Sequence, residues 1–283
     1  MPALDPRLHA YRSDLADLAL KGKVETKIFV QGRRAQVIVP VTALYQKADE
    51  TGERASECLL GEELCVFDDT GDYCWVQSHK DHYVGYIKRH AFVYHIEKPT
   101  HWLTVSRSFQ YQEPDLRSQM VAPLSLGAKF CVMEKIETRG THYYKLENGH
   151  YIIAHHCKSI NEKTSDYVDV ALKLLHTPYL WGGVSGFGID CSGLLQLSMM
   201  MAGKSVLRDT DMQKETIGHY LDKEQDLQRG DLVFWQGHVA IMLDDKKIIH
   251  ANGASMDVSI ETLEAAKNRI AGLYGLPIAY KRV

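Results

Sequence analysis

Two textures of hydrophobic patterning divide this chain. From Val37 to about His156, apolar residues come in short alternating runs: "RAQVIVPVTALY" (34–45), "ELCVF" (63–67), "YCWVQS" (73–78) and "YVGYI" (83–87). Alternation with a period of two predicts half-buried strands, and the Asp, Gly and His-Lys clusters between the runs predict turns. After "KSINEKTS" (158–165) the period changes. Val168, Ala171, Leu172 and Leu175 fall at i, i+3, i+4 and i+7, which predicts an amphipathic helix capped by Ser165 and stopped by Pro178. "YLWGGVSGFGID" (179–190) reads as a Gly-rich loop, and "CSGLLQLSMMMAG" (191–203) as a buried helix ended by Gly203. "DLVFW", "HVAIML" and "KIIHA" predict three strands, "IETLEAAKNRI" (260–270) a helix, and "GLPIAYKRV" (275–283) a closing strand. Helices followed by an antiparallel sheet make an α+β domain. Residues 1–35 read as an N-terminal arm, with Ser13 capping a short helix over "DLADLAL" that Gly22 closes.

The β-rich part repeats itself. "LLGEELCVF" (59–67) resembles "LSLGAKFCVM" (124–133), and "DHYVGYI" (81–87) resembles "NGHYIIA" (148–154). The spacing predicts two β units of roughly 60 residues, at 36–97 and 98–160, ahead of an α+β domain at 161–283. Short strands, a Gly-led turn and a late aromatic strand suggest small all-β SH3-like barrels. Convergent β patterning is the competing account of so weak a repeat.

The chemistry concentrates after residue 187. "GIDCSG" (188–193) puts Cys191 at the start of the buried helix. Free N–H groups and the positive end of the helix dipole there favour a thiolate, the nucleophilic form of cysteine. Gly188 and Gly193 keep bulk away from it. Read alone, a cysteine is as well explained as a small buried hydrophobe. A nucleophile also needs a base, and His238 opens one predicted strand while His250 lies 12 residues later, near the end of the next. In an antiparallel hairpin those positions are neighbours. They share a face only if the loop has an odd length, such as Asp244, Asp245 and Lys246, or if a bulge intervenes. The sequence therefore predicts an odd register. With 14 histidines in the chain, some such pairs arise by chance.

Composition narrows the classes. The 283 residues are 45% hydrophobic and 24% charged, as for a folded multi-domain protein, and the formal net charge of −3 argues against a nucleic-acid partner. The first 20 residues are broken by charges at Asp5, Arg7, Arg12, Asp14 and Asp17, unlike a secretory signal, and no stretch is apolar enough for a membrane span. A cytoplasmic location is the expectation, with the six cysteines as free thiols. None forms C-x-x-C, and "HHC" (155–157) and the His79–His82 segment lack ligand spacing, so no metal site is expected.

The motifs "TPYLWGG", "GIDCSGLLQ", "RDTDMQ", "LQRGDLVFW", "GHVAIML" and "IIHANG", in that order, resemble the NlpC family of papain-like cysteine peptidases over residues 165–283. The two β units resemble bacterial SH3-like domains. The layout is similar to that of γ-D-glutamyl-L-diamino acid endopeptidases that trim cell-wall peptides. The resemblance implies two SH3-like barrels followed by an α+β papain-like peptidase domain. It makes Cys191 the nucleophile, His238 the general base and acid, and His250 the residue that orients it. The implied substrate is a peptidoglycan stem peptide with a free N-terminal L-Ala, cut between D-Glu and the diamino acid in cell-wall recycling. No metal or organic cofactor is implied.

A free ammonium in a closed pocket needs a carboxylate. By resemblance Asp209 supplies it, with Thr210 standing where the family usually has Ser. The competing reading of Asp209 is a cap for a helix beginning near Asp211. Asp190 and Ser192 are implied to contact the substrate backbone and amine, and Tyr179 and Trp181 to line the cleft, unless they are plain core. From the first SH3-like domain the resemblance points to Tyr83, with Tyr86 second; it does not place the acidic partner, for which Glu53 is a candidate. Asp231 reads as a turn residue, and Arg208 as the partner of a nearby carboxylate. An amidase or acyltransferase of the same superfamily, or a non-catalytic peptide-binding module, are the alternatives. Asp209 separates the first of these, and the intact Cys191, His238 and His250 the second.

Overall fold

The computed structural model describes residues 4–49, 51–222, 224 and 227–283. The chain divides into two compact units, Met1–Glu162 and Lys163–Val283.

In the first unit the arm forms no α-helix over residues 14–20. β1 (Leu15–Asp17) pairs in parallel with β2 (Ile28–Val30), and only Leu18–Leu20 turns, as a single 3₁₀ turn. Asp17, not Ser13, is its cap, its carboxylate accepting the Ala19 N–H at 3.1 Å. A segment this short does not repay helix nucleation, whereas strand pairing gives its backbone partners. Arg12 fastens the arm: its guanidinium lies 4.6 Å from the Trp75 ring centre, 2.8 Å from Asp68 and 3.1 Å from the Tyr86 hydroxyl.

The rest of the unit is built twice on one plan. β3 (Arg33–Val37), β4 (Val41–Tyr45), β5 (Arg54–Leu59), β6 (Glu63–Asp68), β7 (Tyr73–Ser78), β8 (Val84–Lys88) and β9 (Phe92–Val93) form one sheet in the order β5-β4-β8-β7-β6-β3-β9. The single run read at 34–45 is therefore two strands, divided before Val41 where Pro40 lacks a ladder donor. The second half comprises β10 (His101–Leu103), β11 (Arg107–Tyr111), β12 (Met120–Ser125), β13 (Lys129–Phe130), β14 (Val132–Thr138), β15 (Thr141–Leu146), β16 (Tyr151–Ile153) and β17 (Cys157–Ser159). Its two sheets run β12-β11-β16-β15-β14 and β13-β10-β17. That is the same order, with the equivalent of β6 broken at Cys131, where the Thr100 hydroxyl takes the Val132 N–H at 2.9 Å. The repeated glycines match as well. Gly61 and Gly127 have φ of +79° and +87°, and their N–H groups donate to Val37 and Leu103.

In the second unit, α1 (Tyr167–Lys173) is capped by Asp166, whose carboxylate accepts the Val168 N–H, rather than by Ser165, and it ends well before Pro178. A two-strand ribbon, β18 (Val184–Ser185) and β19 (Gly188–Ile189), leads into α2 (Cys191–Met201), which closes with Gly203 at φ +79°. α3 (Thr210–Thr216) follows. The sheet comprises β20 (His219–Tyr220), β21 (Leu232–Trp235), β22 (His238–Met242), β23 (Lys247–Asn252), β24 (Asp257–Thr262) and β25 (Ala279–Arg282), in the order β20-β25-β21-β22-β23-β24. α4 (Leu263–Tyr274) is capped by Thr262 and packs Leu263, Ala266 and Ile270 on Val233, Trp235, Ala240, Met242 and Ile248. Ile260 and Glu261, read from the sequence as helical, belong to β24. Asp231 is a buried turn residue, paired with Arg282 and accepting the Gln228 N–H. Among the described residues no helix is long and apolar enough to cross a membrane.

Candidate active site

The site begins where β19 hands over to α2. Asp190 is the N-cap, taking the Gly193 N–H at 2.7 Å on Oδ1 and the Gly182 N–H at 2.9 Å on Oδ2. Arg208, 1% exposed, closes a bidentate pair with the same carboxylate at 3.0 and 2.6 Å, and donates to the Ser192 hydroxyl at 2.6 Å. That hydroxyl in turn donates to Asp190 at 3.2 Å. Both side chains that the resemblance assigned to substrate are thus committed inside the protein, because a buried carboxylate needs charged and N–H partners of its own. The glycines serve backbone approach. A Cβ on Gly193 would lie 2.2 Å from the Gly183 carbonyl oxygen, and one on Gly188 2.7 Å from Leu180.

Cys191, buried, heads the first turn of α2. Its Sγ lies 3.9 Å from the Thr210 hydroxyl and 3.9 Å from the Gly237 carbonyl, next to His238. Burial pushes the thiol up to about 11, and the Asp190 charge adds to this; the Val239 N–H, Thr210 and Arg208 pull the other way. Burial and the Asp190 charge therefore oppose the thiolate that the helix start favours. The N-cap carboxylate has already taken a donor from the helix start and set a negative charge beside the sulfur.

The loop from β22 to β23 has the odd length that the sequence requires. Ile241 pairs with Ile249 and Met242 with Ile248, and the Leu243 N–H donates to the Lys247 carbonyl, leaving Asp244, Asp245 and Lys246 as the loop. His238 and His250 consequently face the same side, with His238 Nε2 2.9 Å from His250 Nδ1 and ring centres 5.1 Å apart. His250 is fully buried. His238 keeps part of its surface open, yet the protein packed around its ring holds its pKa far below 6.5, helped by His250 and Arg269 and opposed by Glu261.

Sequence reasoning missed the next member of this row. Glu261 Oε1 lies 2.9 Å from His250 Nε2, and the same oxygen pairs with Arg269. The approach to His250 is short but oblique: Nε2 has no partner in hydrogen-bond alignment. The signal was parity. In the β23–β24 ladder His250 faces Ser259, and Glu261 lies two residues on, on the same face. Reading "IETL" as helix hid it.

The other predicted residues divide. Thr210 touches the sulfur. Asp209 holds the N-cap position of α3, yet its side chain makes no capping hydrogen bond. Tyr179 is half-buried, and burial first, then the Cys191 and Asp190 charges, raise its hydroxyl. Trp181 is 59% exposed and is not core. Tyr83 is a buried residue of the first unit, where its N–H donates to Asp81, and the Tyr86 hydroxyl is occupied by Arg12. All six cysteines are free, and among the described residues no group of three His, Cys, Asp or Glu side chains could hold a metal ion.

Residues 176–270 match the NlpC/P60 family, and residues 44–92 match the bacterial dipeptidyl-peptidase Sh3 domain. The chain is 27% identical over 253 residues to dipeptidyl-peptidase 6 of Lysinibacillus sphaericus, covering 81% of this chain and 92% of that protein. It is 27% identical over 233 residues to a gamma-D-glutamyl-L-lysine dipeptidyl-peptidase of Bacillus cereus, covering 72% and 69%. The fold is shared with a crystal structure of an NlpC/P60 family protein from Bacillus cereus, with a TM-score of 0.73 at 22% identity over 88% of this chain and 99% of that one. This chain therefore carries an NlpC/P60 domain, and a bacterial SH3 domain precedes it.

Proposed function

We propose that the protein is a cysteine endopeptidase that hydrolyses the γ-D-glutamyl–diamino acid bond of peptidoglycan stem peptides bearing a free N-terminal L-Ala, and that it serves cell-wall recycling. The observation that carries the reading is Cys191 at the head of α2, beside a strand whose His238 is held by His250. The relatives named for gamma-D-glutamyl-L-lysine dipeptidyl-peptidase activity support the choice of bond. The shared strand order of the two β halves supports reading 36–97 and 98–160 as two SH3-like barrels.

The chemistry is acyl transfer. With Nε2 engaged by His250, Nδ1 of His238 is the nitrogen left to take the thiol proton. The thiolate attacks the γ-glutamyl carbonyl. The oxyanion forms at the start of α2, where the Gly193 and Leu194 N–H groups are already bonded to Asp190, so those of Cys191 and Ser192 serve it. His238 returns the proton to the leaving amine and then activates water against the thioester. Asp209 meets the substrate ammonium, and Tyr179 and Trp181 flank the peptide.

The test is a digest read by mass spectrometry. The substrates are L-Ala-γ-D-Glu linked to meso-diaminopimelate or to L-Lys, each free and N-acetylated, with Cys191→Ala as control. Release of L-Ala-D-Glu from the free peptides alone, lost in the variant, is expected. Equal cleavage of acetylated peptides would remove the amine pocket. No cleavage of any by a folded protein would remove the endopeptidase reading.

A further inference from the structure

His238, His250 and Glu261 stand on three neighbouring strands, β22, β23 and β24, each offset from the next along one face of the sheet. It is the face that α4 covers, and Arg269 comes from that helix. We propose that Glu261 is a positioning residue for proton transfer from Cys191, acting through His250, and that Arg269 tunes it.

The argument is one of tautomers. An ionised carboxylate only accepts, so Glu261 beside Nε2 keeps the proton of neutral His250 on that nitrogen. His250 Nδ1 is then an acceptor, and the 2.9 Å contact requires His238 Nε2 to donate. His238 Nδ1 is thereby left with a lone pair for the thiol. When Cys191 gives up its proton to Nδ1, the products are a thiolate and an imidazolium, while Glu261 stays an anion and no proton crosses to it. A buried imidazolium needs a nearby negative charge, and Glu261 supplies it. Arg269, on the same carboxylate oxygen, keeps Glu261 ionised and caps how strongly it pulls. The Glu261 carboxyl is accordingly held below its ordinary range, by His250 first and by Arg269. The charged and titratable groups that act on His238 are His250, Arg269 and Glu261; on Cys191 they are Asp190 and Arg208. Without Glu261, His250 could rest in either tautomer, and half of the row would point its donor the wrong way.

The inference rests on the cysteine-peptidase reading, so its test has a limb that needs no substrate. Alkylation of Cys191 by iodoacetamide is followed by peptide mass spectrometry against pH in the full chain, beside kcat/KM for the free peptide. In Glu261→Gln the rate is expected to fall at least about tenfold, and the acid limb, where His238 gains a proton, to move to lower pH. In Arg269→Gln the acid limb is expected to move the other way, to higher pH, because a nearby cation is gone. Opposite shifts support the relay. Limbs that stay with the wild type, or a loss that tracks thermal stability alone, would reduce Glu261 to a staple between β24 and α4 and overturn it. Opposite shifts in alkylation with no peptide cleaved would retire the substrate reading while keeping the relay.

Discussion

Two buried polar assemblies make up the candidate site, and they are built differently. In Asp190–Arg208–Ser192 the carboxylate oxygens, the guanidinium and the hydroxyl are tied by short, aligned bonds. In His238–His250–Glu261 one bond is aligned and one contact is oblique, and two members can change protonation state. The first arrangement fixes geometry. A saturated ion pair cannot take part in proton transfer without leaving a charge stranded. The second keeps a nitrogen free. Burial of polar groups alone therefore does not separate a chemical role from a structural one; the state of the hydrogen-bond ledger does.

The largest expected difference between them is in activity. His238→Ala should lower kcat/KM by about a thousandfold or more with the fold intact, as followed by peptide cleavage and thermal melting. Arg208→Met should do the reverse. It strands a buried carboxylate, so a stability loss of about 3–5 kcal/mol is expected in denaturant titration of the full chain, with activity surviving in whatever fraction stays folded. Gly193→Ala should cost about 1–3 kcal/mol, since its Cβ would sit 2.2 Å from the Gly183 oxygen.

A smaller effect separates the assemblies by pH. His238 drops from 6.5 to about 3 in the folded protein. The unfolded chain therefore binds a proton first, so stability is whole above about 6.5 and declines as pH falls toward 3. The stability–pH curve of His238→Gln should be flatter in that window than that of the wild type. Least of all, Thr210→Val removes the hydroxyl that draws the thiol down, and alkylation of Cys191 should slow by a few fold, about half a pH unit in its profile.

Much of this site was legible in the sequence because its constraints are local or periodic. The apolar run after Cys191 fixed α2, and two histidines 12 residues apart can share a sheet face only across an odd loop. The misreadings share a cause. Short amphiphilic stretches at 14–20 and 260–262 carry too few periods to tell helix from strand, and pairing with Ile28–Val30 or with β23 decided them. Glu261 was lost in that way, although the same parity rule that found the histidines would have found it. The pairing of Arg208 with Asp190 was anticipated only in kind. Nothing local says that a residue 18 positions on returns to saturate the N-cap of α2. The β repeat was faint in sequence; in the structure the two halves share a strand order and the matched Gly61 and Gly127 turns.

The most direct test of the account is to catch the acyl-enzyme. A rapid acid quench of the protein with excess L-Ala-γ-D-Glu-diamino acid peptide, followed by mass spectrometry of the Cys191 fragment, should show an L-Ala-γ-D-Glu thioester on that cysteine, and none in its N-acetylated counterpart. Cleavage that proceeds with no adduct on Cys191, and that persists in Cys191→Ala, would contradict it.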